Sequence, residues 1–187
     1  MLCIYNSHVG VIPKTFTSSL RGPVSKRKTY NITRYGQIAG PMGTSGKQYL
    51  IFFSDRDIWL KGVVIFLPYV QPIGFNQFGN QQGFISIRIR IMDDFNEEKI
   101  HETKQTIYGP SNGQIWQMNF SKPVRVHSMR DYLIQMDSIG HPTYYGVNCK
   151  ESVIDKRSGV TIKFKNSKES AGTNINQGQF AGLSFSV

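Results

Sequence analysis

The chain has 187 residues, with 22 Lys+Arg against 12 Asp+Glu and a formal charge of +10. An apolar fraction of 39% with 12% aromatics supports a packed core and excludes global disorder. No apolar run reaches the roughly 18 residues of a membrane-spanning helix, and the length suits one domain with an extension.

Residues 1–33 read as an extended basic arm. No acidic residue precedes Asp55, whereas Lys14, Arg21, Lys26, Arg27, Lys28, Arg34 and Lys47 all do. These seven supply most of the surplus charge, because residues 55–187 are close to balanced. Asn6, Ser7, His8, Gly10 and Pro13 interrupt the apolar stretch that a secretory signal needs. Gly10, Pro13, Gly22 and Pro23 break the amphipathic helix of a mitochondrial presequence in the same way. The candidate partner-binding residues are Lys14, Arg21, Lys26, Arg27, Lys28 and Arg34, suited to an acidic surface. The plainer alternative for Lys26-Arg27-Lys28 is a solvated, solubilising run.

Residues 34–187 read as a single β domain. The dense apolar runs at 49–53 and 58–67 suit central strands. The polar stretch 75–83 reads as a loop tip. Ile85, Ile87, Ile89 and Ile91 then alternate with Ser86, Arg88 and Arg90, the pattern of a half-buried antiparallel strand. The only helix candidate is 94–104. It lacks an apolar stripe and reads as a long loop or a single turn.

Further along, Trp116, Met118 and Phe120 are expected to point inward, as are Tyr132, Ile134 and Met136. Val160, Ile162 and Phe164 alternate next, and Leu183, Phe185 and Val187 share one side of a closing strand. Turn signals at Gly40-Pro41, Pro72-Ile73-Gly74, Gly109-Pro110, Gly140-His141-Pro142 and Ser158-Gly159 separate the runs. The expected architecture is all-β, a two-sheet antiparallel β-sandwich.

Catalytic chemistry finds little support. There is no phosphate-binding glycine loop, and Cys3 and Cys149 form neither a disulfide framework nor a metal-ligand spacing. The two cysteines suit a reducing compartment, the cytoplasm by default. His8, His101, His127 and His141 are scattered; a Cys149 nucleophile served by His127 or His141 competes with the commoner fate of a buried thiol. Catalytic, cofactor-binding and metal residues are therefore expected to be none. Arg88, Arg90, Lys163 and Lys165 on strand faces leave a nucleic-acid track as an alternative to a protein partner.

Several segments resemble one family. Phe120-Ser121-Lys122-Pro123-Val124-Arg125-Val126 followed by Tyr132 is similar to a Phe-x-x-Pro-Val-x-Val…Tyr segment of the PHR domain. That domain is the β-sandwich of the Pam/Highwire ubiquitin ligases and of several BTB-domain adaptors. Tyr145-Gly146, the run from Gly159 to Phe164, and Gly172-Thr173 through Gly178-Gln179-Phe180 with Leu183 and Phe185 resemble its later strands and closing signature. Arg34-Tyr35 stands where the family has Arg-Phe, and Ile51, Phe53, Ile58, Leu60 and Gly62 resemble its first core strands. The departures are Met42-Gly43-Thr44-Ser45-Gly46 in place of Trp-x-Tyr-x-Gly, Tyr49 for an acidic residue, and Ala181 for a proline.

The resemblance implies two antiparallel sheets of ten or eleven strands and a non-enzymatic interaction domain. The leading expectation is a structural subunit: the sandwich docks on a protein, and the basic arm lies on an acidic assembly such as a microtubule. A cytoskeletal or ciliary location would follow. The alternative is a substrate-recognition module working with a ubiquitin ligase complex.

Overall fold

In the computed structural model, residues 27–43, 46–69, 83–109 and 115–187 are described. Twelve strands are formed: β1 (Tyr30–Thr33), β2 (Gln37–Met42), β3 (Gln48–Ser54), β4 (Ile58–Phe66), β5 (Gly83–Asp93) and β6 (Lys99–Gly109), then β7 (Ile115–Val126), β8 (Tyr132–Gly140), β9 (Thr143–Val147), β10 (Ser152–Asp155), β11 (Val160–Lys165) and β12 (Phe180–Ser186). No helix occurs among the described residues.

All pairings are antiparallel. One sheet has the order β1-β12-β4-β7 and the other β10-β11-β3-β8-β5-β6, while β2 and β9 form a separate ribbon. Period-two alternation builds the core between the two large sheets. Ile32, Leu60, Val63, Ile65, Met118, Val124, Leu183 and Phe185 come from the first sheet; Leu50, Phe52, Ile85, Ile87, Ile89, Ile134, Met136, Ile162 and Phe164 come from the second. The all-β sandwich is as the sequence pattern implies, and its two large sheets hold ten strands, four and six, as the family resemblance implies, with the β2–β9 ribbon in addition.

Four local readings change. The sheet begins at Tyr30, because β1 pairs with β12 from Tyr30↔Phe185 to Thr33↔Gly182, so the sandwich takes in the last residues of the supposed arm. The run 94–104 holds a turn at residues 94–96 and then enters β6, which pairs with β5. Trp116 shares the direction of Met118 and Phe120 but lies at the rim, 40% exposed, with Nε1 donating to Gln105 Oε1 at 3.3 Å. Val187 follows the last strand and is exposed. The expected loop at 75–83 lies, apart from Gly83, outside the described residues.

Candidate functional site

The outer surface of the four-stranded sheet is laid out in cross-strand rows. Asn31, Ser184, Gly62 and Asn119 form one row, and Thr33, Gly182, Val64 and Gln117 the next. Neither row carries a charge. Gln117 Nε2 donates to Ser184 Oγ at 3.2 Å, which ties the rows together. The two glycines are required by close approach rather than by their own dihedrals. A Cβ on Gly182 would fall inside van der Waals contact of the Ile32 carbonyl, and one on Gly62 would meet the Met118 carbonyl. The result is a low shelf whose exposed polar groups are Asn31, Thr33 and Asn119, while Ser184 is buried and Val64 packs into an apolar cluster with Phe66, Ala181, Tyr35 and Tyr144.

Beside that shelf, Ser186, Trp59 and Arg125 form a third row. Alternation within β4 turns Ile58 and Leu60 into the core and leaves Trp59 outside. Two guanidinium groups lie over the Trp59 ring, with Arg27 Cζ 5.1 Å and Arg125 Cζ 6.0 Å from its centroid. Each is a cation–π arrangement, which holds the charge in place through the ring face. Lys61 Nζ donates to the Arg27 carbonyl at 3.2 Å and to Thr29 Oγ1 at 2.8 Å, fastening this part of the chain to β4. Lys28 Nζ sits 5.7 Å from the Tyr30 ring, which in turn stacks on Phe185.

One carboxylate borders the cluster. Asp57 accepts from the Ser128 backbone N–H at 2.9 Å and from Arg125 Nη2 at 3.3 Å, and these two bonds hold its carboxyl below the ordinary range. The cluster therefore brings Arg27, Lys61 and Arg125 together against a single fixed acid, while Lys28 lies at the β1 edge on the core side with Tyr30. Such a surface can receive carboxylates through charge and offer amide and hydroxyl donors from the shelf.

The residues expected from the sequence divide three ways. Arg27 belongs to this cluster, and Lys28 lies beside it in sequence but sits over the core-side Tyr30 ring. Lys14, Arg21 and Lys26 lie outside the described residues. Arg34 is a correction: it is fully buried and contacts no surface. Its guanidinium donates to the carbonyls of Phe180, Asn174 and Ile175, the last at 2.9 Å, and lies over the Phe164 ring. Burial pushes its pKa down, and the nearby Cys149 opposes that shift. Arg34 pins the segment before β12 to the sandwich; it is not part of a binding arm.

Sequence reading missed Trp59, Lys61 and Arg125 as site residues. Alternation marks Trp59 and Arg125 as outward-facing, but only the register of β4 with β7 shows that they are neighbours.

The outer face of the six-stranded sheet differs. Arg90 Nε contacts Glu102 Oε2 at 2.7 Å, and its Nη1 reaches Asp137 Oδ2 at 3.2 Å. The Glu102 bond is the main reason that the Arg90 pKa rises and that the carboxyl of Glu102 falls. Arg88 lies 3.8 Å from Asp137, and Lys165 binds Asp131 at 2.7 Å while stacking with Lys163 on Phe53. Three of the four basic residues in the nucleic-acid alternative are thus committed to carboxylates. Elsewhere, burial pushes the Cys149 thiol pKa up, away from a reactive thiolate. Among the described residues no group of three or more His, Cys, Asp or Glu gathers as a metal site.

A family model for the PHR domain matches residues 33–186, nearly the whole described part of the chain. No curated protein matches the sequence.

Proposed function

We propose a protein-docking role for this chain, which belongs to the PHR domain family: the outer face of its four-stranded sheet receives an acidic protein surface. The family is one of interaction modules, and the finer assignment rests on one observation. Arg27 and Arg125 lie close to an outward-facing Trp59, with Lys61 fastened beside them and an uncharged shelf alongside. Acidic side chains of the partner replace water around the guanidinium groups, and the indole supplies apolar area at the centre. In this role the chain acts by binding and performs no catalysis.

An acidic polymer such as a microtubule is the partner class that suits this surface. Co-sedimentation with microtubules tests it, using the full chain and a form lacking residues 1–26. That deletion stops short of the cluster and of β1. Pelleting of the full chain that weakens with salt, and survives in part after deletion, supports docking through the sheet face. No pelleting at low salt contradicts the polymer assignment.

A further inference from the structure

The two large sheets end in four strand edges, and three are short or guarded. β1 and β10 have only four residues each. β7 carries Lys122 and Pro123 and a register shift opposite Leu60/Gly62. β6 is different: it has eleven residues, no proline, and a single irregularity near Ile100, where Ile91↔His101 gives way to Met92↔Lys99. A long regular edge of this kind is a template for another strand.

The direction of its free backbone groups follows from register. His141 N–H donates to the Phe84 carbonyl, so Phe84↔His141 is a hydrogen-bonded pair. The unshifted ladder then turns Ser86, Arg88 and Arg90 toward β8, and Ile85, Ile87, Ile89 and Ile91 toward β6. Their partners Ile107, Gln105, Thr103 and His101 therefore spend their backbone groups on β5. Glu102, Lys104 and Thr106 turn theirs away from β5, to an edge that no other strand among the described residues pairs with.

The charge order along that edge is self-complementary. We propose that this chain forms a two-fold dimer by antiparallel pairing of β6 with β6, with the axis at Thr103. This register places Glu102 opposite Lys104 of the partner subunit, and Lys104 opposite Glu102 of the partner subunit. Both are hydrogen-bonded positions, as the outward backbone groups require. Moving the axis to Glu102 or Lys104 sets like charges face to face, and moving it to Gln105 leaves both charges without a mate. The Lys104 side chain is 60% exposed, and its ammonium lies 3.9 Å from Glu102 of its own chain, a loose pair that the partner's Glu102 can share. Glu102 is held in place by Arg90. Pairing over His101–Gln105 of each copy joins the two six-stranded sheets into one continuous sheet with an isologous contact.

Sedimentation velocity of the full chain over a wide concentration range tests the proposal. The expected result is reversible growth from the 21.2 kDa monomer to twice that mass. Lys104→Glu should raise the dissociation constant about tenfold or more, since two attractive cross-strand pairs become repulsive. Lys104→Pro should abolish pairing while keeping the fold, because the N–H it removes faces away from β5. Circular dichroism confirms that both variants remain folded. A chain that stays monomeric at every concentration overturns the proposal, as does unchanged association of the folded Lys104→Pro variant.

Discussion

The two outer faces of the sandwich carry similar basic residues in opposite electrostatic settings. On the six-stranded side, Arg90 is held by Glu102 and Asp137, and Lys165 is held by Asp131. On the four-stranded side, Arg27, Lys61 and Arg125 gather around Trp59 with Asp57 as the single acid contact. Charge is structural where a carboxylate has been placed beside it. Where an aromatic face holds it instead, its attraction for an outside partner remains. The net charge of the chain does not distinguish the two.

The largest expected effect concerns the backbone beneath the polar shelf. Gly182→Ala forces β1 away from β12 and should cost about 3 kcal/mol or more, measured by urea unfolding. If stability is unchanged, the shelf is not held flat by strand contact. Next comes Arg34, the basic residue that the sequence groups with the arm. Arg34→Met leaves the carbonyls of Asn174, Ile175 and Phe180 without their donor and should cost about 2 to 3 kcal/mol. The matching Arg27→Met change should move stability by less than about 0.5 kcal/mol, which separates a pin from a contact residue.

Smaller again is the charge network of the other face. Arg90→Ala removes two partly exposed ion pairs and should cost about 1 kcal/mol, less at high salt. A pH effect follows from His101, whose ring packs 4.5 Å from Phe120. Burial lowers its pKa, so the folded state favours the neutral ring. Its contribution is complete above the unfolded histidine value of about 6.5 and is lost as pH falls through the lower folded value. Thermal unfolding of His101→Gln should lose part of this acid sensitivity.

Much of the architecture was legible because burial on one sheet face imposes period two on local sequence. Ile85, Ile87, Ile89 and Ile91 show it most clearly, and all four are in the core. β6 was not legible, since both of its faces are largely polar: Glu102, Lys104 and Thr106 alternate with Thr103 and Gln105 on an edge strand. Arg34 was misread for a related reason. Its position in a basic run suggests solvent, but its burial depends on carbonyls about 140 residues later in the chain. The Trp59 cluster needs the pairing of β4 with β7 and the return of Arg27 onto β4, neither of which is a local property.

The most direct measurement compares charge reversal on the two faces in one binding assay with an acidic polymer. Arg27→Glu with Arg125→Glu should weaken binding by about tenfold or more, mainly through the lost electrostatic complementarity. Arg88→Glu, on the six-stranded face, should leave binding within about twofold. Equal losses from both, or a loss confined to Arg88→Glu, would contradict docking through the four-stranded sheet.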